Sequence, residues 1–172
     1  MDFKSLNFEI KADEVTDEGS FTAYASVFGN VDKVNDVVVK GAFSNSLAIG
    51  KKVRMLYQHD PSKVIGVWDS IEEDDHGLKV KGRFADTELG KEVRSLVLMG
   101  AIDSLSIGYR TKDYAYDANG VRLLKEVDLV EISIVTIPAN EAATIIDAKS
   151  EAENEITEIT RLLSKRVSLL KS

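Results

Sequence analysis

Residues 103–110 read DSLSIGYR. Successive side chains of a strand point to opposite faces, so Leu105, Ile107 and Tyr109 share one face and Ser104, Ser106 and Gly108 the other. One face is wholly apolar and the other small and polar, which places the stretch in a sheet packed on its apolar side. A serine set between Leu105 and Ile107 is then either part of a polar outer face or a hydroxyl reserved for chemistry.

The chain on either side has the same texture. Short alternating or β-branched runs near 6–15, 20–28, 35–39, 52–58, 64–72, 77–84, 103–111, 121–127 and 128–136 are broken by the turn signals DEGS, HDPS, DDHG and DANG. Two helices stand out. In DTELGKEVRSLVLMG, Asp86 or Thr87 caps the start, Leu89, Val93, Leu96 and Val97 recur at helical spacing, and Gly100 ends it. The second spans about 151–171, where Ile156, Ile159, Leu163, Val167 and Leu170 form a narrow seam on a polar helix. A shorter helix is suggested by SNSLAIG after GAF. The pattern predicts an α+β, mainly β domain over 1–148, followed by an acidic linker and amphipathic helical tail over 149–172.

Composition narrows the function classes. With 172 residues, 44% hydrophobic and 30% charged, the chain is long enough to bury a proper core. A net charge of −7 disfavours nucleic acid and anionic membranes as partners, and leaves a protein or peptide as the default. The absence of cysteine rules out disulfides, thiolate metal sites and cysteine nucleophiles. Two separated histidines and scattered carboxylates give no metal-ligand pattern, and no cofactor is called for. The opening MDFKSLNFEIK lacks the layout of a signal peptide, and no run reaches the length of a membrane span, so a cytoplasmic setting is expected.

Of the two histidines, His76 sits in the turn-like EDDHGL and reads as solvent-exposed. His59 ends the apolar run VRMLYQ ahead of Asp60 and Pro61, at the lip of a buried strand where functional side chains gather. A serine hydroxyl needs such a base, and a third group to orient it, before it can attack a carbonyl. Ser106 is the best-placed serine, and the missing side chain at Gly108 would let a substrate backbone approach the same face. For the third group, EVDLVEISIVTIPAN offers Glu131 in a strongly apolar run, where a carboxylate is costly unless paired. Glu126 and Asp128 are competitors nearer the strand start.

Taken together, FTAYASVFGNVDKVNDVVVKGAF, YQHDPSKVIGVWDSIEEDDHGLKVKGRF, GAIDSLSIGYR and EVDLVEISIVTIPANEAATI resemble the prohead proteases of tailed bacteriophages. These are capsid-maturation serine proteases whose fold is similar to that of the herpesvirus assemblins. The resemblance covers roughly residues 6–147. It implies a curved, mostly antiparallel β-barrel surrounded by helices, with Ser106 as nucleophile, His59 as general base and Glu131 orienting the histidine, Glu126 being its rival. Gly108 and Arg110 are candidate oxyanion or substrate contacts.

The resemblance further implies cleavage of the scaffolding part of the major capsid protein, self-cleavage, and work in the bacterial cytoplasm inside the assembling prohead. Self-association is a further expectation, and recognition of an extended peptide beside a strand edge another. Two other readings share these residues: a catalytically silent capsid-assembly binding module, and a small-molecule esterase needing an apolar pocket.

Overall fold

The computed structural model describes residues 2–6, 19–32 and 34–136, the first of these segments as backbone only. The expected linker and tail helix over 149–172 lie outside the described residues, as does most of the strand expected at 6–15. Ten elements follow in order: β1 (Asp2–Leu6), β2 (Ser20–Val27), β3 (Asp36–Val38), α1 (Ser44–Ala48), β4 (Arg54–Tyr57), β5 (Asp60–Glu73), β6 (Gly77–Phe84), α2 (Glu88–Leu98), β7 (Ser104–Tyr116) and β8 (Arg122–Val135).

The strands form one curled, half-barrel sheet in the order β1-β7-β8-β4-β5-β6-β2, with β3 beside β8. Most neighbours are antiparallel, but β3 and β4 both run parallel to β8. The concave side is filled by the apolar halves of alternating strands: Phe21, Ala23 and Ala25 of β2, Leu78 and Val80 of β6, Leu105, Ile107 and Tyr109 of β7, and Ile132 and Ile134 of β8. A β-bulge between Tyr24 and Ser26 breaks the alternation in β2, which is why Ala25 and Ser26 are both buried.

Helix α2 lies on β5 and β6 and buries Val93 and Val97, with Leu89 and Leu96 packed at the margin. Thr87 is its cap, the hydroxyl accepting from the Gly90 amide at 3.1 Å, while Asp86 instead pairs with Lys91 at 2.7 Å. Gly100, with φ +72°, supplies the left-handed residue that closes the helix. The short β3 is pinned by a bidentate ion pair: Arg122 donates to buried Asp36 at 2.8 and 2.5 Å.

Two sequence expectations are corrected. Residues 121–127 and 128–136 are not separate strands; β8 runs unbroken through Glu126, Val127 and Asp128, its polar residues being absorbed by bulges in the pairing with β7 and by a Lys51–Asp128 ion pair at 2.9 Å. HDPS is not the turn either, since Asp60, Pro61 and Ser62 already belong to β5. The chain reverses two residues earlier, at Gln58 and His59.

Candidate active site

Tyr57 pairs with Asp60 across the β4–β5 hairpin, leaving Gln58 and His59 as a two-residue loop. Both have positive φ, 56° and 58°. That is the signature of a type I′ turn, whose backbone twist suits a hairpin but which normally demands Asn or Gly. Gln58 and His59 hold it at a cost in local strain, and tertiary contacts offset that cost. The Gln58 amide donates to the Ile134 carbonyl at 3.0 Å, and the Gln58 side chain donates to Thr136 Oγ1 at 3.0 Å. The His59 amide donates to Ser133 Oγ at 3.2 Å. All three anchors belong to the last residues of β8 or the residue after it, so the end of one strand shapes the turn of another.

That clamp sets the His59 ring against Glu131. His59 Nδ1 lies 2.7 Å from Glu131 Oε1, and the side chains are 21% and 3% exposed. The other carboxylate oxygen, Oε2, accepts from the Ser133 hydroxyl at 2.5 Å. Each oxygen of this buried carboxylate therefore has a partner, which is the condition for keeping it there. With the carboxylate accepting at Nδ1, that nitrogen carries the ring proton and Nε2 of the neutral ring is left as the acceptor.

Room for the carboxylate comes from β7. Gly108 is the register partner of Glu131, and a Cβ there would stand 2.2 Å from Glu131 Oε1. The expectation that Gly108 leaves space for substrate is thus corrected: the space is taken by the acid. Two residues back along the same face, Ser106 is paired with Ser133. Paired residues share a face at Cα separations of about 4.5–5.5 Å, so Ser106, Ser133 and Glu131 form one patch, with Leu56 and Arg54 of β4 continuing it. Ser106 is fully buried.

The remaining candidates lie elsewhere. Glu126 stands opposite Asp113 and borders a separate small hollow with Asp128 and Lys112. Asp128 is engaged by Lys51, whose hydrogen-bonded ammonium holds its carboxyl below the usual carboxylate range. Arg110 faces Asp128 at 3.8 Å, so its described partner is a structural carboxylate. His76 is exposed in the β5–β6 turn, edge-on to the Tyr24 ring at 4.6 Å. Among the described residues no three His, Asp or Glu side chains converge where a metal could sit, and no helix is long and apolar enough to cross a membrane.

A model of the family described as caudovirus prohead serine protease matches residues 6–158. The chain belongs to this family. It is 36% identical to the prohead protease of Enterobacteria phage HK97, over 98% of this chain and 79% of that protein. It is 28% identical to the prohead protease of Escherichia phage T5, over 79% of this chain and 68% of that one. Among solved structures, the capsid assembly protease of bacteriophage T4 superposes with a TM-score of 0.66 at 12% identity, covering 79% of this chain and 96% of that one. At that identity the superposition speaks for the fold, while the family match makes this protein a serine peptidase of the prohead type.

The sequence reading missed Ser133 and Gln58. Ser133 lies two positions after Glu131 on a strand and therefore on its face, a spacing that could have marked it. Gln58 carried no local signal at all.

Proposed function

We propose that this prohead protease works through Ser106 as nucleophile, His59 as general base and Glu131 as the group that orients the imidazole. The observation that carries the reading is the 2.7 Å contact between His59 Nδ1 and a buried Glu131 whose second oxygen is also occupied. A carboxylate fixed on Nδ1 selects the tautomer whose Nε2 can accept a proton, and it stabilises the imidazolium once the proton has moved.

In the first half-reaction Ser106 Oγ bonds to the scissile carbonyl carbon while its proton passes to His59 Nε2. Collapse of the tetrahedral adduct breaks the C–N bond, and the same proton goes to the departing amine. Water then repeats the sequence on the acyl-enzyme, giving a carboxylic acid and restoring Ser106. Ser133 acts through the other two, holding Glu131 and the His59 backbone, and is a positioning residue.

Relatives bear the names prohead protease and probable capsid maturation protease. We extend this to the chain: it cleaves the scaffolding part of its major capsid protein, and its own tail, inside the assembling capsid of the host cell. Over 149–172 the acidic linker and apolar seam serve recruitment to that assembly.

The test is co-expression with the capsid protein from the same genome, wild type beside Ser106→Ala, with intact masses of both chains. Shortening of the capsid protein that disappears with Ser106→Ala is the expected result. Identical masses with equal co-purification would replace catalysis by a binding role.

A further inference from the structure

Beside the His59–Glu131 pair lies a hollow of about 280 Å³ that includes Leu56 and Val64 in its lining. A second, of about 320 Å³, is lined by Val64, Val67 and Trp68 among others. The two share Arg54 and Val64, so they are neighbours along the β4–β5 hairpin, a two-part trough whose first part includes the histidine. Its floor is apolar and open: Val64 is 50% and Val67 37% exposed. Isolated exposed aliphatics are ordinary, but a row of them leading from a catalytic histidine is a candidate binding surface.

The rim has the opposite sign to the molecule. In a chain of net charge −7, Lys52 and Arg54 stand exposed on this edge, and among the described residues neither is matched by a carboxylate. The Arg54 guanidinium donates to the Lys52 carbonyl at 3.5 Å and lines both hollows. Strand addition is closed to a ligand here. At Ser106, β7 is paired on one edge by β1, with Ser5 opposite, and on the other by β8. β4 likewise lies between β8 and β5. With those edges occupied, a chain lying in the trough is gripped through its side chains on the face rather than by main-chain pairing to β4 or β7.

We propose that this trough is the specificity site of the protease, and that it takes an extended polypeptide segment with an aliphatic side chain next to the cut and carboxylates farther along. From Leu56 to Arg54 is two strand positions, and Lys52 lies two residues before β4 begins, together about 7–13 Å at 3.3 Å per extended residue, which is the reach of two to four extended residues of a bound chain. The aliphatic side chain fills the hollow beside His59, and Asp or Glu at that spacing meets the two cations. This inference rests on the catalytic reading above for its purpose, though not for its binding chemistry.

The experiment uses a tryptic digest of a bacterial proteome as probe. The full-length protein carrying Ser106→Ala is immobilised, peptides are captured, and they are identified by mass spectrometry. The same is done after adding Lys52→Glu with Arg54→Glu, after adding Val64→Ser, and after adding Lys125→Glu on exposed β8 as a charge control, each checked for an unchanged melting curve. The expected result is enrichment of peptides pairing Val, Ile or Leu with Asp or Glu two to four residues away. The acidic part should fall by roughly five-fold with the double charge reversal, the scale of an exposed ion pair or two. The aliphatic part should fall with Val64→Ser, and Lys125→Glu should change neither.

No enrichment, enrichment indifferent to both trough changes, or an acidic preference that falls as far with Lys125→Glu, overturns the proposal. A parallel digestion of the same probe by the wild-type protein separates the two readings. Captured preferences without Ser106-dependent cuts keep the trough and remove the triad, while cuts whose flanking residues ignore Lys52→Glu with Arg54→Glu keep the triad and remove the trough.

Discussion

Strand β5 is bounded by two tight turns, and each carries one of the chain's two histidines. At the β5–β6 end the turn obeys local chemistry. Asp74 accepts from the amides of His76 and Gly77 at 2.8 and 2.9 Å, so the reversal is closed locally within four consecutive residues. At the β4–β5 end the turn defies it, with Gln58 and His59 both left-handed and anchored by residues more than seventy positions away. A turn that closes itself leaves its histidine a bystander. A turn that must be held from outside gives its histidine a fixed address, as the proposed general base requires.

The contrast can be broken most severely from the far side of the acid. Gly108→Ala puts a methyl group into the space of Glu131 Oε1, so kcat/KM on a peptide spanning the cut site should fall roughly 10⁴-fold, the scale of losing the orienting acid in other triads. Retained activity would mean that Glu131 does not orient His59.

A smaller effect comes from removing the clamp. Ser133→Ala deletes one hydrogen bond to the carboxylate and one to the His59 backbone, and kcat should fall roughly 10- to 100-fold from a loss of about 1.5–3 kcal/mol, with KM unchanged. Ser133→Thr should restore most of it. A variant destabilised but fully active when folded would make Ser133 merely structural.

The self-closing turn offers the mildest change and no change in catalysis. Tyr24 donates to Asp74 Oδ2 at 2.6 Å, and this hydrogen bond is the main cause holding the Asp74 carboxyl at about 2 against an ordinary 3.8. A depressed carboxyl contributes stability that is present above the unfolded value and lost as pH falls through the folded one. Urea unfolding should therefore show Tyr24→Phe less stable than wild type above pH 4, the gap closing toward pH 2, with neutral-pH activity unaltered. A gap independent of pH would assign it to packing of the ring instead.

The two turns also show what the sequence could disclose. DDHG announces its turn, and β6 over 77–84 could be read to the residue, because the signals are local. Glu131 was legible because a carboxylate inside VEISIV must have a partner, and Ser106 because its neighbours are apolar. The Gln58–His59 turn was not legible, since Asp60 and Pro61 are the stronger local turn formers and only β8 overrules them. Glu126 and Asp128 misled in the same way: their polarity reads as a strand break, but Asp128 is neutralised by Lys51 from a loop 77 residues away. Gly108 was noticed for its missing side chain, yet what occupies the gap depends on a register that no single strand encodes.

The parallel pairing of β4 with β8 has a consequence in the order of folding. The β4–β5 and β5–β6 hairpins close short loops and can form early, but His59 meets Glu131 across 72 residues of chain, one of the slow, long-range contacts that a folding chain makes late. Until β8 docks, the strained turn has no anchors and the imidazole no acid. On the proposed triad, hydrolytic competence thus arrives with β8, and a nascent or half-folded copy is expected to be inert toward its neighbours.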